Sequence, residues 1–318
     1  MSPARRILVT GGSGFVGQAL LPALRRAYPE AEILATGSGD LGIATIRSTP
    51  LDLTSTDSVD RVVDAFAPTD LVHLAALSSV QGAFGSPRAV WDVNVSGVLR
   101  LVDALHRTSP DANFIFASSA EAYGRSFASG DPLDESAPLA PENPYARSKA
   151  AAEYALRDLW GDRGRLVILR MFNHLGPGQD ERFVAAAFAA QVARAEQGAG
   201  PRTINVGDLS AERDFGDVRD LVRAYVAVLD QAENFETRTT FNVCSGVTRP
   251  VRAIAERLAE LAKVEIDFVV DPARVRPQTI PRAAGSNAAL AAATGWKPQE
   301  RFEDTIEAVL DYWRAKAA

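Results

Sequence analysis

Ile7-Leu8-Val9-Thr10 is a short β-rich run that stops at Gly11-Gly12-Ser13-Gly14, after which Phe15, Val16, Leu20, Leu21 and Leu24 recur at helical spacing. Strand, glycine turn and helix in that order predict an α/β fold with the turn at the carboxyl edge of a parallel sheet. Gly11, Gly14 and Gly17 let a backbone approach a pyrophosphate, which then lies at the positive end of the helix dipole. Ser13, Phe15 and Val16 belong to the same turn and are expected to touch the same ligand.

A second group stands far along the chain. Tyr145 and Lys149 are four apart in Pro144-Tyr145-Ala146-Arg147-Ser148-Lys149, which continues as an alanine-rich helix, so they are expected to share one helix face. A free phenol titrates near pH ~10, and a neighbouring ammonium and an oxidised nicotinamide both push it downward, toward acid-base work at neutral pH. Ser119 ends the apolar run Phe114-Ile115-Phe116-Ala117-Ser118 and is expected to hold a substrate oxygen that Tyr145 protonates or deprotonates.

Between these groups, strands and helices alternate. Glu32–Thr36 reads as the second strand and ends in Gly37-Ser38-Gly39-Asp40, which leaves the preference between a free ribose and a ribose phosphate open. Asp52, with Leu53 beside it, stands where an adenine amino group would be bound, and an N-terminal helix cap is the other reading of Asp52. The run Leu71 to Ala76 reads as a strand buried on both faces, with Leu74, Ala75 and Ala76 leaving room for a ligand and His73 packed. In the helix from about residue 86 to 106, Asn94 interrupts the apolar side and must find a polar partner. Strands follow at 113–118 and 166–170, the first delivering Ser119 and Glu121 to the carboxyl edge.

This alternation gives the expected fold class: α/β, a doubly wound parallel sheet with a smaller C-terminal lobe. Residues 1–172, with a return segment at about 212–245, form the dinucleotide-binding domain, and 173–211 and 246–318 form the lobe. The net charge of −6 is spread along the chain without a basic block, which argues against nucleic acid or an anionic membrane as partner. No apolar run approaches the ~20 residues of a membrane span, and Ile7-Leu8-Val9 after Arg5-Arg6 is too short for a signal-peptide core. Cys244 is the single cysteine, which suits a reducing compartment, so the cytoplasm is expected. No metal site is expected.

The glycine turn, Leu74-Ala75-Ala76, Asn94, Ser119, Tyr145 and Lys149 follow one another in an order that resembles the extended short-chain dehydrogenase/reductase family, in its nucleotide-sugar branch. The resemblance implies a Rossmann-type domain, bound NAD or NADP, and a homodimer formed through the helices near 90–105 and 145–160. Phe172-Asn173-His174-Leu175-Gly176-Pro177-Gly178-Gln179, Val206-Gly207-Asp208-Leu209 with Arg213-Asp214-Phe215, Phe241-Asn242-Val243-Cys244-Ser245-Gly246 and Arg276-Pro277 look like the GDP-4-dehydro-6-deoxy-D-mannose reductases. Carried over, Asn173, Arg213 and Arg276 contact the diphosphate and sugar, a task for which the guanidinium fork is well shaped.

The resemblance implies hydride transfer to the C4 carbonyl of a GDP-linked 4-ketosugar, forming GDP-D-rhamnose. Tyr145 protonates the oxygen, Ser119 hydrogen-bonds it, and Lys149 holds the nicotinamide ribose. Glu121 fits this less well, because it resembles the general base of GDP-mannose 4,6-dehydratases. The alternative is therefore a dehydratase or epimerase with a tightly held cofactor. Against it, the first turn is unlike the one expected in that branch, and Ala120 precedes Glu121 where dTDP-glucose dehydratases carry an aspartate.

Overall fold

The computed structural model describes residues 5–37, 41, 43, 46–274 and 280–317. Strands β1 (Arg6–Thr10), β2 (Glu32–Thr36), β3 (Arg47–Thr49), β4 (Asp70–His73), β5 (Asn113–Ser119) and β6 (Leu166–Met171) join one sheet. The chain then leaves it for β7 (Asn173–Leu175), β8 (Thr203–Val206) and β9 (Glu212–Asp217), and returns with β10 (Arg238–Val243). β11 (Thr248–Pro250), β12 (Asp267–Val270) and β13 (Arg282–Ala283) complete the strands described.

The large sheet has the order β10-β6-β5-β4-β1-β2-β3 and every pairing is parallel. Its middle strands are apolar on both faces because helices cover both. Ile7, Val9 and Val72 pack with Leu20, Leu21 and Leu24 of α1 (Phe15–Ala27), whereas Leu8, Leu71 and Phe114 pack on the opposite side. That opposite layer consists of α2 (Thr56–Phe66), then α3 (Val80–Gly85), α4 (Pro87–Trp91), α5 (Gly97–Thr108) and α6 (Pro144–Leu159). Between α4 and α5 the chain makes one wide π turn over Asp92–Ser96.

Strand order reverses between β1, which continues outward to β2, and β4, which continues to β5 and β6. Ligand crevices of open parallel sheets lie at such a switch point. Small strands β7, β9, β11 and β13 form a second sheet, and β8 pairs with β12. A separate apolar core unites α7 (Val184–Glu196), α8 (Val218–Gln231) being excluded because it packs on α1, with α9 (Val251–Leu261), and, beyond α10 (Ala288–Thr294), with α11 (Phe302–Ala317). β9 belongs to the small sheet, whereas Leu221, Val222 and Tyr225 of α8 join the core on the α1 side of the large sheet.

Candidate functional site

The glycine turn is closed by backbone bonds: Gly12 N donates to Thr36 O at 2.7 Å and Gly14 N to Gly11 O at 3.0 Å. Gly11 has φ +74° and packs so closely on the end of β4 that a Cβ there would stand 2.7 Å from Ala75 N. At Gly17 a Cβ would stand 2.5 Å from the Gly11 carbonyl oxygen. Gly14 caps α1 without a side-chain hydrogen bond, which leaves the amides of its first turn free for an anion. Ser13 lies against Gly37, and Phe15 stacks on His174 with ring centroids 5.9 Å apart and planes 2° from parallel. Leu74, Ala75 and Ala76 border the turn, all half-buried, and Ala75 N is 3.4 Å from Thr10 Oγ1.

Ser38, Gly39 and Asp40, which carry the ribose-phosphate question, lie outside the described residues. Asp52 is exposed and follows β3 rather than ending it. Its carboxylate accepts from Thr54 N at 2.9 Å, and those Thr54 bonds hold its pKa below the usual carboxylate range. The cap reading of Asp52 is corrected: Ser55 caps α2, accepting from Ser58 N at 3.3 Å, because the helix begins one residue beyond it. Leu53 is buried, its Cβ pressed on Gly97.

Asn94 finds the partner that its burial demands. Its Nδ2 donates to Ser148 Oγ at 3.0 Å and to Leu77 O at 3.2 Å, while Oδ1 accepts from Leu77 N at 2.9 Å. The wide π turn aims this side chain at α6, where Ser148 precedes Lys149. His73 is buried, with Nδ1 2.6 Å from Thr10 Oγ1, and burial pushes its pKa down to about 3, with Lys149 adding in the same direction.

α6 begins cleanly because Asn143 accepts from Ala146 N at 2.8 Å and Pro144 fills the first helical position. Tyr145 and Lys149 then project inward, 9% and 3% exposed, toward the end of β5. Lys149 Nζ donates to Ala117 O at 2.7 Å and lies 4.9 Å from the centre of the Phe116 ring. Burial lowers the ammonium to about 8, opposed by the charge of Glu153.

The expected depression of the Tyr145 phenol by Lys149 is corrected. Burial pushes it up to about 12, a hydrogen bond with Ser119 opposes this, and the charge of Glu121 adds to it. Lys149 is spent on a backbone carbonyl and is not among the groups that set the phenol. Tyr145 therefore keeps its proton at neutral pH, the form required of a proton donor.

Ser119 ends β5, and its Oγ accepts from Glu121 N at 3.2 Å. Glu121 Oε2 accepts from Asn143 Nδ2 at 3.1 Å. Arg213 on β9 is half-buried, feels the charge of Glu121, and donates Nη1 to the carbonyls of Glu212 at 2.8 Å and Pro281 at 3.4 Å. Burial lowers its pKa, with Glu121 opposing. Among the described residues it has no ion-pair partner. Ser119, Glu121, Tyr145 and Arg213 thus share one electrostatic neighbourhood. Asn173 is exposed on β7, register partner of Phe215, two residues beyond Arg213. Arg276 lies outside the described residues.

Sequence reading missed three members of this region. Asn143 joins Glu121 to the Tyr145 helix, and Asn-Pro ahead of a helical run was the signal for it. Ser148 as the partner of Asn94 left no local trace, since the two are far apart in sequence. His174, folded onto Phe15, ties the glycine turn to the segment that opens the small lobe.

The sequence matches the family model described as GDP-mannose 4,6 dehydratase over residues 8–309. It is similar to the GDP-6-deoxy-D-mannose reductase of Pseudomonas aeruginosa, 36% identical over 314 residues, with 98% of each chain covered. A second relative, the GDP-6-deoxy-D-talose 4-dehydrogenase of Aggregatibacter actinomycetemcomitans, is 30% identical over 290 residues, with 90% of each covered. The solved structure of RMD from Pseudomonas aeruginosa complexed with NADPH aligns with a TM-score of 0.84 at 34% identity, over 98% of this chain and 100% of that one. With a seven-stranded parallel sheet, a glycine turn at its switch point and a Ser-Tyr-Lys group at its carboxyl edge, this chain belongs to the GDP-mannose 4,6 dehydratase family.

Proposed function

We propose that this chain is an NAD(P)-dependent oxidoreductase that reduces the 4-keto group of a GDP-4-dehydro-6-deoxy-hexose, forming GDP-D-rhamnose. The observation that carries the reading is Tyr145, buried in the neighbourhood of Ser119 and one helical turn before Lys149. Similarity to a GDP-6-deoxy-D-mannose reductase over nearly the full length supports the substrate class.

A dinucleotide fits the residues present, because the cradle at Gly11 and Gly17 has no room for a Cβ and the first turn of α1 has free amides. Gly11, Ser13, Gly14, Phe15, Val16 and Gly17 hold the pyrophosphate, Asp52 and Leu53 the adenine, and Leu74, Ala75, Ala76 and Asn94 border the nicotinamide half. Bound NADPH or NADH supplies the hydride that forms the new C4–H bond. Tyr145 gives its phenolic proton to the carbonyl oxygen, Ser119 orients that oxygen, and Lys149 holds the ribose. Because the phenol starts protonated, no prior deprotonation is needed in this direction. Arg213, Asn173 and Arg276 bind the diphosphate and sugar, and Arg213 brings to them a guanidinium with no ion-pair partner among the described residues.

Residues 1–172 with the return to β10 form the cofactor domain in this reading, and the remainder forms the substrate lobe. The chain works as a homodimer in the cytoplasm. Trp91, Tyr154 and Leu159 are exposed on the helices that the partner would cover, and among the described residues no helix is long and apolar enough to cross a membrane.

One observation favours a second reading. Glu121 is held beside Tyr145 by Asn143, where a dehydratase would need a base. Incubation with a GDP-linked 4-ketosugar and NADPH or NADH is expected to consume the reduced cofactor. Conversion of GDP-mannose itself without added reduced cofactor would overturn the reductase reading in favour of the dehydratase.

A further inference from the structure

One residue below the catalytic end of the sheet, a row of buried polar side chains crosses three strands. Ser118 of β5, Arg170 of β6 and Asn242 of β10 are register partners, so their side chains share one face of the sheet, and none is more than 4% exposed. Glu153 reaches this row from α6. Its carboxylate accepts from Arg170 Nη2 at 2.8 Å and Nε at 3.1 Å, and from the Ser118 hydroxyl. Arg170 Nη1 donates to Tyr123 Oη at 2.9 Å and to Glu135 O at 3.1 Å, and the Tyr123 hydroxyl donates to Asn242 Oδ1 at 2.8 Å. Asn242 N donates to Glu135 Oε1 at 2.6 Å, and Asn242 Nδ2 donates to Leu133 O at 3.0 Å.

A fully buried ion pair is a poor device for stability alone, because well-packed apolar residues of similar volume often hold a fold as well or better. Its location offers another reason. Along α6, Tyr145, Lys149 and Glu153 stand one turn apart. Along β5, Ala117 receives Lys149, Ser118 receives Glu153, and the next residue is Ser119. Two successive turns of the helix are therefore bolted to two successive residues of the strand, and the third turn carries the phenol that must meet Ser119.

We infer that Glu153, clamped by Arg170 and Ser118, is a positioning residue for the reduction: it fixes the register of α6 against β5 and holds a negative charge one turn from Lys149. The inference rests on the reductase reading of Ser119, Tyr145 and Lys149. The groups facing Lys149 are Glu153 from its own helix, His73 from β4, and the Phe116 ring and Ala117 carbonyl from β5. His73 is kept neutral by burial, so Glu153 is the nearby charge that favours the ammonium.

Four variants separate position from mere stability: Glu153→Gln, Ser118→Ala, the apolar pair Glu153→Met with Arg170→Met, and Tyr145→Phe as reference. Each is assayed for kcat and KM with the ketosugar, for the pH profile of kcat, and for melting temperature. Glu153→Gln is expected to lose about tenfold or more in kcat with KM changed less than about threefold, and its alkaline limb is expected to move to lower pH. The apolar pair is expected to melt near the parent while keeping the low kcat. If Glu153→Gln does not fold, Ser118→Ala, which removes one donor, is expected to show the same split in milder form. Full kcat in Ser118→Ala or in the apolar pair, with an unmoved pH limb, overturns the inference. A fully active Tyr145→Phe would instead overturn the reductase reading, so the two failures are distinguishable.

Discussion

Asn143 caps the helix that carries Tyr145 and, through its amide Nδ2, donates to Glu121 Oε2 at 3.1 Å. The carboxylate is thereby held by a hydrogen bond beside the phenol, an arrangement suited to orienting a substrate hydroxyl as well as to taking a proton. For a reduction, no proton is removed from carbon, so Glu121→Gln is expected to keep kcat within about tenfold of the parent. Tyr145→Phe, which removes the general acid, is expected to lose about a hundredfold or more. Steady-state rates on the ketosugar decide between these, and equal, severe losses in both variants would move Glu121 into the chemistry.

The Asn143 cap also has a stability consequence. Asn143→Ala removes the acceptor for Ala146 N and is expected to cost about 1 kcal/mol. Asn143→Asp keeps the cap but sets a second carboxylate against Glu121, so it is expected to retain most of the stability and lose catalytic rate. Denaturant titration checks the first effect and kcat the second.

His73 gives a pH signature. Its ordinary value of 6.5 applies to the unfolded chain, and burial holds the folded value at about 3. Between these the unfolded state binds the extra proton, so stability is unaffected above 6.5 and falls as pH drops toward 3, by up to about 1.4 kcal/mol per pH unit. His73→Asn, uncharged throughout, is expected to flatten that acid limb in denaturant titrations across the range. An unchanged slope would mean that His73 is protonated in the folded protein.

Much of this site was legible because its signals are local. The glycine turn, the Tyr145–Lys149 spacing and the apolar run ending at Ser119 each depend on residues within a turn or a strand of one another, and each forms the element expected. The alternation of strands and helices gave the doubly wound sheet for the same reason. What spacing could not show was where the Lys149 ammonium would go. Helical periodicity puts it on the face of Tyr145, but the carbonyl of Ala117, thirty-two positions upstream, captures it, and burial then governs the phenol. Glu153 with Arg170 and Asn94 with Ser148 are pairings across elements, invisible until the sheet is assembled. The place of Asp52 was misread by a shorter margin, since Ser55 competes for the same cap.

Gly17 tests the cofactor turn through backbone sterics. A methyl group there would meet the carbonyl oxygens of Gly11 and Gly12 at 2.5 Å, backbone atoms that cannot swing aside. Gly17→Ala is expected to cost about 1–3 kcal/mol in stability and to weaken NADPH binding, read by nicotinamide fluorescence on titration. Unaltered binding would show that the turn is not the pyrophosphate cradle.

The most direct test follows the hydride. The protein is given a GDP-linked 4-dehydro-6-deoxyhexose and NADPH carrying deuterium at the transferable position of the nicotinamide, and the product sugar is examined by NMR. The expected result is deuterium at C4 of the product, with Tyr145→Phe giving almost none. Product without deuterium at C4, or label entering at C5 from deuterated solvent with no net use of NADPH, would contradict the account.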